Sequence, residues 1–161
     1  MISMKNPLHR TASLLLCLGL CTAVLPGCSS ASPSGPDPKP VQVVNPIVTV
    51  SSVTEMEAML DFSVPILDRD VETYIVLVYD GYPQMGRISY TDGSVFSVKY
   101  GQEDVSGIYG GTLDASETLN GVQVDFYHYE DTSYARWEKD GFSFSLTGKE
   151  TLHKDIATLI G

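Results

Sequence analysis

The sequence predicts an α+β domain: one twisted antiparallel sheet of about six to eight strands built from hairpins, with a short N-terminal helix and a C-terminal helix packed on it. Three observations predict it. Apolar and polar residues alternate with period two from Ile88 to Leu146. The pairs Asp92-Gly93, Asn120-Gly121 and Asp140-Gly141 punctuate that alternation, and each tolerates the positive φ angles of a two-residue type I′ turn. Apolar residues at helical spacing flank the alternating region on both sides.

A leader precedes the domain. Lys5, His9 and Arg10 stand before an apolar run from Ala12 to Leu25, the n-region and h-region of a signal peptide. The run is 14 residues long, whereas a membrane-spanning helix takes about 20. Nothing in the mature chain is therefore expected to span a bilayer. The run ends in Leu25-Pro26-Gly27-Cys28, which resembles the lipobox of bacterial lipoproteins, with an aliphatic residue three before the cysteine and a small one directly before it. That resemblance implies removal of residues 1–27 and lipidation of Cys28 as the new N-terminus. The alternative is an ordinary secretory leader cleaved nearby.

Cys17 and Cys21 lie inside the leader, so Cys28 is the one thiol left after processing and no internal disulfide can form. Residues 1–27 hold two of the ten basic residues, Lys5 and Arg10, and none of the twenty acidic ones, so the formal charge of −10 becomes −12 on their removal. Such a surface argues against nucleic acid and other polyanions as partners. From Ser29 to Pro40 the chain reads SSASPSGPDPKP. It has no large apolar side chain to bury, so residues 28–44 are expected to form a lipidated, Pro/Ser-rich linker and residues 45–161 the domain.

Within the domain, Ile47–Val50 reads as a short strand. Ser52 and Glu55 form a capping-box pattern for a helix through Leu60, with Val53, Met56, Met59 and Leu60 on its apolar side. Pro65 forbids a longer helix. Thr73–Tyr79 is apolar at successive positions, as in a central strand covered on both faces. In the first predicted hairpin Ile88 and Tyr90 share a face with Phe96, Val98 and Tyr100. In the second Val122, Val124 and Phe126 align, and in the third Ala135 and Trp137 align with Phe142, Phe144 and Leu146. Ser89, Ser97, Lys99, Arg136, Ser143 and Ser145 alternate to the opposite, wet face. Leu152, Ile156, Leu159 and Ile160 then mark the closing helix, with Thr151 as its cap.

Candidate chemistry is sparse. His128 and Glu130, two apart on a predicted strand, would project from one face as an acid/base or metal pair, although a lone histidine there more often serves the fold. His153 falls out of phase with the apolar stripe and reads as a solvated surface residue. Two histidines and one lipidated cysteine are too few ligands for zinc. No G-x-S-x-G or S-x-x-K pattern occurs after the leader. The loop Gly101–Gly111 carries Glu103 and Asp104 without EF-hand spacing, and reads as a glycine-shaped connection whose Ile108 and Tyr109 plug the core. The nine tyrosines and Trp137 are expected mainly to build the core or its rim.

The stretches NPIVTVSSVTEMEAMLDFSVPIL, ISYTDGSVFSVKYGQEDVSGIYGG, NGVQV and ARWEKDGFSFSL with the terminal helix together resemble an uncharacterised family of bacterial extracytoplasmic domains. Its members occur in lipoproteins and secreted proteins and attached to anti-sigma-factor-like membrane proteins. The resemblance implies an extracytoplasmic α+β module and transfers no catalytic residue. The expected function is thus that of a non-enzymatic binding or interaction module, needing no cofactor. Its partners would be the membrane, through the anchor, and an envelope protein or peptide. Two alternatives are an acyl-chain binder with a groove between sheet and helices, like half-barrel lipoprotein carriers, and an enzyme centred on His128 and Glu130.

Overall fold

A computed structural model describes residues 45–149 and 152–161. The leader, Cys28, the linker up to residue 44 and the predicted cap Thr151 lie outside the described residues. The fold class is the one the sequence predicts: a single open antiparallel sheet of eight strands with two short helices.

The strands are β1 (Ile47–Val50), β2 (Val71–Tyr79), β3 (Tyr82–Tyr90), β4 (Val95–Tyr100), β5 (Thr112–Leu119), β6 (Val122–Tyr129), β7 (Thr132–Lys139) and β8 (Phe142–Gly148). Their spatial order is β1-β2-β3-β4-β8-β7-β6-β5. Two four-stranded meanders therefore meet at one antiparallel seam, β4 against β8, in register from Val95↔Thr147 to Tyr100↔Phe142. Helix α1 (Val53–Leu60) follows β1, and α2 (His153–Ile160) closes the chain.

Alternation works as predicted on one face of the sheet. Val76, Ile88, Phe96, Val98, Val124, Ala135, Trp137 and Leu146 form a continuous core with Met56 and Leu60 of α1 and with Ile156, Leu159 and Ile160 of α2. Met56, Val76, Ile88, Phe96, Leu146 and Ile156 have no measurable exposure, so the centre of the interface between sheet and helices is close-packed. Trp137 stacks on Phe144 at 5.4 Å between ring centroids, and Phe96 lies 6.1 Å from the same ring.

Several local expectations are corrected. The capping box is only half formed: Ser52 Oγ accepts from the Glu55 amide, but the Glu55 carboxylate takes the amide and hydroxyl of Ser51. Leu152 occupies the N-cap of α2 without a side-chain hydrogen bond. Strand β2 lies second from an edge, and Val76 is its one fully buried residue. The Asp92-Gly93 connection is a three-residue loop, with the Gly93 amide bonded to the Tyr90 carbonyl and Gly93 at φ 84°, because Asp92 stays at negative φ and turns its carboxylate onto Ser94. The other two pairs do form positive-φ turns, and so does Asp80-Gly81 between β2 and β3.

Candidate functional site

The second face of the sheet holds the larger departure from expectation. Ser97, Ser143 and Ser145, predicted to face water, are buried to within a few per cent. The β4–β5 connection, residues 101–111, causes this by crossing that face like a strap from the seam to the edge strand β5. Val105 is its buried plug and Ile108 is half-buried, while Tyr109 is 97% exposed, so the expectation that Tyr109 plugs the core is corrected and Val105 takes that part.

Polar contacts pin the strap at both ends. Ser143 Oγ donates to the Gly101 carbonyl at 2.7 Å and accepts from the Glu103 amide at 3.1 Å. Glu103 pairs with Lys99, and Asp104 pairs with Arg136 at 2.6 Å. Burial pushes the Asp104 carboxyl up. Hydrogen bonds from the Ser106 hydroxyl and amide and from Arg136 outweigh this, and hold it below the ordinary carboxylate value. The Arg136 guanidinium also lies 4.4 Å over the Tyr127 ring and donates to its hydroxyl. At the far end the Tyr134 hydroxyl donates to the Gly110 carbonyl at 2.6 Å.

A cleft opens on either side of the strap. One, of 350 Å³, is lined by Asp104, Val105, Asp125, Arg136, Glu138 and Ser143 among others. The other, of 500 Å³, is lined by Leu77, Met85, Tyr79 and Tyr109 together with Arg87, Lys99 and the strap acids. Gly107 of the strap, at φ 72°, lies against Arg87, where an added β-carbon would sit 3.2 Å from a guanidinium nitrogen.

The histidines do not converge with these groups. His128 is half exposed at the end of β6, its Nδ1 2.7 Å from Asp114 Oδ1. Glu130 is beyond the strand, in the β6–β7 turn at φ 52°, so it does not share a strand face with His128. Period-two reasoning fails there because the chain turns at the second residue. His153 lies at the surface as expected, with 42% of its side chain exposed, but it also has packing partners that the sequence did not reveal. Its ring stacks on Phe126 at 4.2 Å, and Nε2 lies 3.2 Å from Glu117 of β5. Nδ1 is buried with no partner among the described residues.

Among the described residues no group of three or more His, Cys, Asp or Glu side chains could hold a metal ion. None of their helices is long and apolar enough to cross a membrane. The tyrosine expectation is also corrected: Tyr90 and Tyr134 are buried, while Tyr79, Tyr82, Tyr100, Tyr109 and Tyr129 are exposed. Comparison with known proteins finds no matching family, no matching curated protein and no matching solved structure. The reading of function rests on this chain alone.

Sequence reasoning missed Arg87, which it left unassigned, and the burial of the serines. The signal for Arg87 was present. It stands two residues from Met85 and two from Ser89 on a strand whose other face is apolar, and so belongs with Lys99 and Arg136 on the opposite face.

Proposed function

We propose that the chain is an extracytoplasmic lipoprotein, tethered through Cys28 and displaying a non-enzymatic binding domain whose contact surface is the strapped face of the sheet. Cys28 carries the first half of this reading. It ends a signal-peptide-like run in a lipobox-like setting, is the one cysteine outside that run, and precedes a spacer with nothing to bury. The first strand begins at Ile47, just past the spacer. The geometry of the strapped face supports the second half. Its charged groups hold a loop in place and leave aromatic and apolar groups beside two clefts, which suits recognition better than bond making. The resemblance to extracytoplasmic modules agrees with this reading.

The N-terminal mass of protein from the membrane fraction tests the tether. The expected result is loss of residues 1–27 with a diacylglyceryl thioether on Cys28, and for Cys28→Ser, retention of the leader. A soluble product cut elsewhere and carrying a free Cys28 thiol would refute it.

A further inference from the structure

Arg87 is the arginine for which the fold provides no counter-charge. Of the other arginines among the described residues, Arg69 pairs with Asp92 and Asp155, and Arg136 pairs with Asp104. No described carboxylate lies within ion-pair distance of Arg87, and its hydrogen bond is a 3.3 Å contact from Nε to Ser97 Oγ. Its terminal guanidinium nitrogens make no hydrogen bond to any described residue, although one of them lies against Gly107 of the strap, in a chain with twice as many acidic as basic residues. The two acids nearest the cleft are already engaged, Glu103 by Lys99 and Asp104 by Arg136. The 500 Å³ cleft is thus left with one uncompensated positive charge.

Beside that charge the floor is apolar. Leu77 pairs with Met85 across β2 and β3, and Arg87 follows Met85 by two residues, so it lies on the same face about 7 Å along the strand. Tyr79 and Tyr109, both exposed, line the same cleft. We propose that this cleft is a binding site for an apolar carboxylate, with the carboxylate on the Arg87 fork and the apolar group on Leu77 and Met85 between the two tyrosine rings. The fork matches a carboxylate bidentately, which a lysine does not. The spacing between charge and floor suits one aromatic or branched side chain next to its own carboxyl group. A peptide C-terminus and a small organic acid both present that chemistry. The inference rests on the binding-module reading, and names its ligand class.

Calorimetric titration of the full chain in detergent tests it, with N-acetyl-Ala-Phe, its C-terminal amide and 3-phenylpropionate as probes. Either acid is expected to bind, more weakly as salt rises, and the amide about tenfold or more weakly. Tighter binding of the dipeptide assigns chain termini, and tighter binding of phenylpropionate assigns small acids. Arg87→Gln is expected to abolish the preference for acid over amide. Arg87→Lys, which keeps the charge, should lose most of it. Tyr109→Ala, on an exposed ring whose loss cannot unfold the sheet, should weaken both acids. Equal affinity for acid and amide, no binding of any probe at millimolar concentration, or an unchanged preference in folded Arg87→Lys overturns the site. None of these results touches the Cys28 test, so the tether stands or falls separately.

Discussion

A β-carbon at Gly86 would sit 2.9 Å from both Leu60 Cδ1 and Met56 Sδ, two side chains of α1 that are themselves buried. Met56 is completely buried, so its sulfur can yield only by disturbing its neighbours, and glycine at this strand position lets the helix lie close on the sheet. Gly86→Ala is expected to lower the stability to urea unfolding by about 1–3 kcal/mol through overpacking. The opposite change, Met56→Ala, should cost about 2–5 kcal/mol by leaving a cavity. Gly111 is constrained differently: its φ is 105°, and a β-carbon would meet the Tyr134 hydroxyl at 2.6 Å and the His128 carbonyl at 3.0 Å. The carbonyl belongs to the backbone and cannot swing away. Gly111→Ala should therefore detach the strap from β6 and β7, seen as faster amide exchange through residues 107–111.

The strap is the element in which side-chain ionisation and structure are most closely linked. Asp104 there, Glu55 at the start of α1 and Asp92 in the β3–β4 loop all have carboxyl groups held below their ordinary value. For Asp104 this is the net of burial against hydrogen bonds from Ser106 and Arg136, for Glu55 hydrogen bonds from Ser51, and for Asp92 hydrogen bonds from Ser94. A lowered folded-state pKa contributes stability that is complete above the ordinary carboxylate value of about 4 and is lost as pH falls through the folded value. Amide exchange across residues 101–108 is expected to accelerate below about pH 4. In Asp104→Asn that acceleration should be reduced, because the variant is loosened at every pH. Ser143→Ala should loosen the strap independently of pH.

How much of the strap could be read from the sequence follows from the kind of interaction that holds it. The hairpins were legible because each is local: alternation and a turn pair fix both strands. The path of residues 101–111 is set by partners 32 and 40 residues away, Arg136 for Asp104 and Ser143 for the Glu103 amide. Neither leaves a local pattern. Arg87 was legible as a residue on the polar face, but its lack of a partner is a property of the assembled sheet. The partners of His153 were missed for a related reason, since the stripe of α2 identifies what faces the sheet but not that Phe126 and Glu117 reach this surface histidine.

At the scale of the molecule, the β4–β8 seam is the one ladder that joins the two meanders. Its partners are separated by 52 residues at Val95↔Thr147 and by 42 at Tyr100↔Phe142, so seam pairing is expected to be the slow step of folding. Phe96 lies in that seam and is completely buried. Phe96→Ala should cost about 3–5 kcal/mol in urea, in a single transition if the meanders fold as one unit. Two transitions would show that each half persists alone. The opposite end of the architecture is β1, four residues long, paired with β2 alone and first among the described strands. In the tethered form proposed above, a mechanical load applied through the N-terminus would arrive first at this shortest strand. It has four paired positions to resist peeling, whereas the edge strand at the far side is eight residues long. Under tension β1 would act as a fuse, lengthening the leash while the strapped face stays folded.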